Sequence, residues 1–203
     1  MEGSPLVTVN TNPPFSEYHF IDANPRRAEQ LRSLIGERDD VFIESADCND
    51  VLIQKVFPRA KYSDYRRALC LLDPYNINLK WEVIEAAGKS GSIEVFLNFM
   101  IMDINRNALR RNRDKAVQSK IDQLTRLWGD DTWEAAAFDS SGNLFGDPEK
   151  LSNEQFEAAW RARLKTKAGF KFVSKPMPMT TKNQIRHLLP VFRFPKARGG
   201  KHC

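Results

Sequence analysis

Residues 67–75 read Arg-Ala-Leu-Cys-Leu-Leu-Asp-Pro-Tyr, and this stretch decides how the chain is read. Five successive apolar residues are too few for an ordinary helix. Closed by a carboxylate and a proline, they have the form of a strand buried on both faces of a parallel sheet. Asp73 then stands at the carboxyl edge of that strand. In open α/β sheets this is where loops and helix starts converge on a ligand-binding crevice. Two readings stay open for Asp73: chemistry in that crevice, or a cap for the following helix with Pro74 setting the turn.

Upstream, the same unit occurs twice. Tyr18-His19-Phe20-Ile21-Asp22 is a short β-prone run ending in an acid. Asn24-Pro25 supplies a cap and a proline for the first helical position, Ala28, Leu31, Leu34 and Ile35 share one helix face, and Gly36 stops the helix. Val41-Phe42-Ile43 is the next strand, followed by Glu44-Ser45-Ala46-Asp47, and residues 49–57 carry helical spacing through Val51, Leu52 and Val56 until Pro58.

Downstream, residues 78–87 place Leu79, Val83, Ile84 and Ala87 on one stripe ended by Gly88, and residues 93–99 form a fourth apolar strand. Strand and helix alternating at this pace predict an α/β fold with a mostly parallel sheet, right-handed crossovers and helices on both faces.

Beyond Met102 the pattern turns helical. Residues 103–113 are polar and basic. Residues 115–128 set Val117, Ile121, Leu124 and Trp128 on one face ended by Gly129, residues 133–138 form a short helix, and Ser152 with Gln155 has the form of a capping box before Phe156, Trp160 and Leu164. Residues 170–174 and 188–194 read as strands that pair antiparallel as a C-terminal edge hairpin. The tail, residues 196–203, is basic, glycine-rich and expected to be disordered. The expected organisation is one domain over residues 1–195, with 103–168 as a helical insertion.

Composition narrows the classes. The chain has 203 residues, 41% hydrophobic and 28% charged, enough for one good core. No stretch is long and apolar enough to span a bilayer, and the N-terminus lacks the order of a secretory signal. Cys48, Cys70 and Cys203 are scattered without metal-ligand spacing, so a reducing cytoplasm and no metal are expected. The net charge of +5 is uneven: residues 1–102 hold 11 basic and 15 acidic side chains, a net of −4, and residues 103–203 hold 20 and 11, a net of +9. A basic half suits nucleic acid, and equally a solvated face.

Four strands thus end at Asp22, Asp47, Asp73 and Asn98. A carboxylate at the second tip of such a sheet can accept both ribose hydroxyls, and a later acid or amide can receive an exocyclic amine, so the edge suits an adenosine-containing cofactor. Alternatively, each acid caps its helix. Asn105, Arg106 and Arg110 follow the fourth strand at the same edge and form a candidate clamp for a phosphate-bearing substrate or a solvated helix face.

Tyr-Arg-Arg-Ala-Leu-Cys-Leu-Leu-Asp-Pro-Tyr at 65–75, continued by Leu79-Lys80-Trp81-Glu82, and Val-Phe-Leu-Asn-Phe-Met-Ile-Met-Asp-Ile-Asn-Arg-Asn-Ala-Leu at 95–109 closely resemble the three-Cys-motif partner protein family, TcmP. Gly3-Ser4-Pro5-Leu6, Phe20-Ile21-Asp22, Asp47-Cys48-Asn49 and Leu127-Trp128-Gly129-Asp130 look like further motifs of that family in the same order. The resemblance implies a Rossmann-like, class I S-adenosylmethionine-dependent methyltransferase fold. Asp22 would hold the cofactor ribose, and Asp47 with Cys48 would lie near the adenine. Asp73, Pro74 and Tyr75 look similar to the acidic or amide Pro-Pro-Tyr loop of amino-methyltransferases, with one proline instead of two.

The family's first strand and its Asp-x-Phe-Ala-Gly-x-Gly loop would precede Gly3, so the first strand is expected to be missing and cofactor binding weakened. The family name further implies a three-Cys-motif protein as partner. The runner-up is a non-catalytic module that binds nucleic acid or a partner protein through the basic half. Oligomeric state is not legible in the sequence.

Overall fold

Asn24 and Pro25 do what their residue types predict. The Asn24 side-chain oxygen accepts the amides of Arg26 and Arg27, Pro25 takes the first helical position, and Gly36 ends the helix at φ 76°. In the computed structural model, which describes residues 3–74, 77–109, 117–139, 149–180, 186–189 and 191–193, the chain divides into two compact units, residues 1–59 and 60–203.

The first unit opens with α1 (Ser4–Val9), followed by β1 (Tyr18–Ile21), α2 (Pro25–Ile35) and β2 (Val41–Glu44). β1 and β2 are parallel, Tyr18 opposite Val41 and Ile21 opposite Glu44. The helical stretch expected after β2 is present but irregular: α3 (Cys48–Val51) runs into a π-helical turn (Leu52–Val56) and a 3₁₀ turn (Phe57–Arg59). On α2 only Ala28 is buried and Leu34 is 61% exposed. Leu31 and Ile35 are half-buried, so the face predicted to pack inward is only partly covered.

In the second unit, β3 (Ala68–Leu72) runs parallel to β4 (Ile93–Leu97), joined through α4 (Trp81–Ser90). The sheet has the order β3-β4-β10-β7, with β7 at Phe172–Val173 and β10 at Val191–Arg193, and β10 antiparallel to both neighbours. The antiparallel pairing expected at the C-terminus is present, but β10 lies inside the sheet and β7 forms the edge. The predicted single strand over 188–194 is two: β9 (Arg186–Leu189) pairs instead with β8 (Met177–Thr180). A further short pair, β5 (Phe138–Asp139) with β6 (Glu149–Lys150), was not foreseen.

β3 is not buried on both faces. It is an edge strand, with Leu69 and Leu71 exposed and Leu72 buried. Gly88 does not end α4, which continues to Ser90 with Gly91 as its cap. Gly88 is required for another reason: a Cβ there would stand 2.0 Å from the Ala168 carbonyl oxygen.

The remaining helices are α5 (Ile101–Asn107), α6 (Gln118–Trp128), α7 (Trp133–Ala137) and α8 (Asn153–Thr166). The capping box at Ser152 and Gln155 is formed, and Phe156, Trp160 and Leu164 are buried as their spacing predicts. The buried face of α6 is Leu124, Leu127 and Trp128, whereas Val117 is exposed because it precedes the helix as its cap.

The core of this unit is aromatic. Trp160 stacks on Phe99 at 5.3 Å and 13°, and Trp128 lies 5.3 Å from Trp160 and 5.2 Å from Phe156. The Arg163 guanidinium sits 4.6 Å from the Trp81 ring and donates to the Trp128 carbonyl, Asp130 and Thr132. A paired, stacked guanidinium at such a position ties three elements together without an uncompensated charge. No helix among the described residues is long and apolar enough to cross a membrane.

Candidate functional site

The carboxyl ends of the two parallel pairs carry the candidate residues, and each pair is described by itself. In the first unit, the Asp22 amide donates to the Glu44 carbonyl at 3.1 Å, so Asp22 extends the ladder by one residue at the tip of β1. Asp47 follows three residues beyond the end of β2, at the same edge. A cleft of about 490 Å³ opens beside Asp22, lined by Gly3, Pro5 and Leu6 of the N-terminal segment, by Phe20 and Ile21, and by Leu31 on α2. Apolar walls with one carboxylate at the rim are the usual make-up of a small-molecule site.

Asp22 is not a helix cap; that role belongs to Asn24. Its Oδ1 accepts the Asn24 amide at 2.7 Å, and Arg27 closes a two-pronged contact, Nε to Oδ2 at 2.7 Å and Nη2 to Oδ1 at 2.8 Å. The Arg27 hydrogen bond holds the carboxyl below its ordinary range against the opposing effect of burial. Arg27 was not singled out from the sequence. The available signal was an arginine in the first turn of a helix that starts just after an acid.

Asp47 is a helix cap: its Oδ1 accepts the Asn49 amide at 2.9 Å and the Asn49 side chain at 2.8 Å. The capping alternative is realised there, although a carboxylate offers about four acceptor positions and a cap uses only part of them. Burial raises the Cys48 thiol above its ordinary range, with Asp47 and Asp50 adding to the shift. Cys48 is therefore a neutral, half-buried group rather than a thiolate nucleophile.

In the second unit the Asn98 amide donates to the Leu72 carbonyl at 2.8 Å, carrying the β3–β4 ladder one residue past its ends. Asp73 and Asn98 thus come side by side, and the Asn98 amide nitrogen donates to Asp73 Oδ1 at 2.7 Å. Asp73 does not cap α4, whose cap position is Lys80. Asn98 Oδ1 is buried and has no hydrogen-bond partner among the described residues. A carboxylate oriented by an amide whose own oxygen lacks a donor makes an edge rich in acceptors, suited to an N–H-bearing group. Pro74 follows, half-buried.

Asn105 lies in the second turn of α5. It donates to the Asn153 side chain at 2.6 Å, and its own oxygen is buried without a partner among the described residues. Arg106 beside it is exposed. Tyr75 and Arg110 lie outside the described residues. Among the described residues no group of three or more His, Cys, Asp or Glu side chains could hold a metal ion. No protein-family model, no curated protein and no solved structure matches the chain.

Proposed function

We propose that the chain is a methyltransferase-like protein of the three-Cys-motif partner type, in which Asp22, Asp47 and Cys48 form the adenosine side of an S-adenosylmethionine site and Asp73, Pro74 and Tyr75 orient the methyl acceptor. The observation that carries this reading is the strand pairing. In a doubly wound sheet of order 3-2-1-4-5, the second and third strands pair in parallel, as do the fourth and fifth. β1 with β2, and β3 with β4, have the pairing and direction of those two couples, with three acids and the amide Asn98 at their carboxyl ends. Their chain order fits as well.

On this reading Asp22 accepts the ribose hydroxyls once Arg27 turns aside. Arg27 is 65% exposed, and its contact with Asp22 opposes that movement. Asp47 keeps its cap and offers its remaining acceptor capacity to the adenine amine. Asp73, held by Asn98, accepts a hydrogen bond from the nucleophile and orients it. Asn105, Arg106 and Arg110 supply polar and cationic groups for the rest of the acceptor.

The test is a titration with S-adenosylhomocysteine followed residue by residue in NMR spectra. Weak binding is expected, with the amides of Asp22, Asn24 and Asn49 shifting first. Arg27→Ala should tighten it by freeing the carboxylate, and Asp22→Asn should weaken it. Unmoved amides at saturating ligand would remove the reading. A salt-sensitive complex with nucleic acid in place of cofactor binding would favour the binding module.

A further inference from the structure

Residues 161–175 read Arg-Ala-Arg-Leu-Lys-Thr-Lys-Ala-Gly-Phe-Lys-Phe-Val-Ser-Lys, six basic side chains and no acidic one. We propose that the lysine-rich turn from α8 into β7, with Phe172 beside it, binds single-stranded nucleic acid. Burial sorts the residues of the turn. Leu164, Ala168, Phe170 and Val173 are buried, and between these anchors Lys165, Lys167, Lys171 and Lys175 are exposed. Backbone contact fixes the anchors: Gly169 takes φ 88°, and Gly88 leaves room for the Ala168 carbonyl where a Cβ would clash. The lysines therefore project from a packed base.

The two arginines of the stretch are already neutralised, Arg161 by Glu157 at 3.3 Å and Arg163 by Asp130 at 2.7 Å. None of the four lysines forms an ion pair with a described carboxylate, whereas Lys55, Lys89 and Lys120 do. Helix and strand meet along one seam: Arg161 Nη2 donates to the Val173 carbonyl at 3.4 Å, and Lys175 lies close enough to Glu157 to act on its carboxyl. Lys165 stands one turn beyond Arg161 on the same helix face, so lysines of α8 and of the β7 segment flank that seam.

A helix end favours cations, which accounts for Lys165 and Lys167. The effect fades within a turn and does not reach Lys171 or Lys175, which lie beyond the helix. Four unpaired cations on one short segment suit a polyphosphate chain, whose condensed counterions they displace. Phe172 narrows the partner to nucleic acid with unpaired bases. It is 42% exposed on the edge strand next to Lys171, and its ring offers a stacking surface to a base that is not already stacked in a duplex. This inference uses contacts within the second unit alone and is independent of cofactor binding, so either can fail without the other.

The test is the fluorescence anisotropy of a short labelled oligothymidylate titrated with the whole 203-residue chain over a series of salt concentrations. The logarithm of the association constant should fall against the logarithm of salt with a slope of about −3, as four neutralised phosphates on a single strand require. Lys165→Gln and Lys171→Gln should each make the slope shallower by about 0.7. Phe172→Ala should weaken binding about tenfold and leave the slope unchanged. Lys61→Gln, ahead of β3 at the opposite edge of the sheet, should change neither. A duplex of the same length should bind more weakly than the single strand. The lysine variants alter exposed side chains only, so an unchanged far-ultraviolet spectrum is expected and they carry the test even if Phe172→Ala fails to fold. No binding at low salt, a slope that the lysine variants leave as it was, or a duplex held as tightly as the single strand would each overturn the proposal.

Discussion

Residues 1–59 and residues 60–203 are held together by different means. Of 33 buried hydrophobic residues among those described, six belong to the first unit and 27 to the second. The second has a layered aromatic core and a four-stranded sheet. The first has a two-stranded sheet, an exposed Leu34 on α2, and surface ion pairs: Glu17 with Arg59, Asp22 with Arg27, Asp40 with Arg38, and Glu44 with Lys55. A two-stranded sheet is marginal by itself, and exposed ion pairs contribute little each. The same alternation of strand and helix therefore yields a rigid unit only where enough apolar area is removed from water.

The largest effect is expected where the second unit is densest. Trp160 is fully buried and touches Trp81, Phe99 and Trp128. Trp160→Ala should cost about 3–5 kcal/mol by leaving a cavity under the sheet, measured as a shift in the denaturation midpoint of this unit. A change of less than about 1 kcal/mol would mean that the stack is not what holds it. Next is Gly88→Ala. Alanine gains about 1 kcal/mol in helix propensity. Its Cβ, however, meets the backbone of Ala168 at 2.0 Å, where no flexible side chain can yield. Net destabilisation of about 2 kcal/mol is expected from overpacking, whereas Gly91→Ala should be limited to the strain of its left-handed φ of 71°.

These two positions show where sequence reasoning reached and where it stopped. Short-range signals were legible: Asn24-Pro25, the Ser152–Gln155 box and the Phe156–Trp160–Leu164 spacing each act within a few residues, so the chain itself states them. The burial of β3 was not legible, because an apolar run says what a strand could pack against and cannot say which neighbours the sheet supplies. Gly88 was misread for a related reason. A glycine that ends a helix and one that admits a distant carbonyl look alike until Ala168 is in place. At the site, the acids at the strand ends could be found from the pattern. Their partners, Arg27 on Asp22 and Asn98 on Asp73, depended on side-chain geometry and on which strands are neighbours.

A smaller effect should separate the units without altering either core. Amide hydrogen exchange in β1 and β2 is expected to be faster than in β4, whose Ile93 and Val95 are fully buried. Glu17→Gln removes the charge that holds Arg59 through two contacts of 2.8 Å. It should speed exchange in residues 1–59 and leave β4 unchanged. Raising salt should act in the same direction on the parent chain, because screening reaches exposed pairs and spares a buried apolar core. Equal protection in β1 and β4 would erase the contrast.

The smallest effect concerns acid, and here Asp22 in the first unit and Glu157 in the second should respond with opposite sign. Asp22 is held below its ordinary range chiefly by the Arg27 hydrogen bond, and Asp40 by Arg38. A carboxyl depressed on folding contributes stability above its unfolded value, and that contribution is lost as pH falls through the folded one. Glu157 is shifted the other way, raised by burial on α8. The stability associated with its protonated form is complete below the unfolded value and is lost as pH rises through the folded one. Acidification through the carboxylate range should therefore loosen residues 1–59 while relieving Glu157. Two NMR series in that range, one following β1 amides and one following α8 amides, check the signs separately. In Asp22→Asn the acid loosening of β1 should diminish. In Glu157→Gln the relief on α8 should vanish, leaving the opposite contribution of Asp130, which hydrogen bonds from Thr132 and Arg163 hold below its ordinary range against burial, while the response of β1 stays.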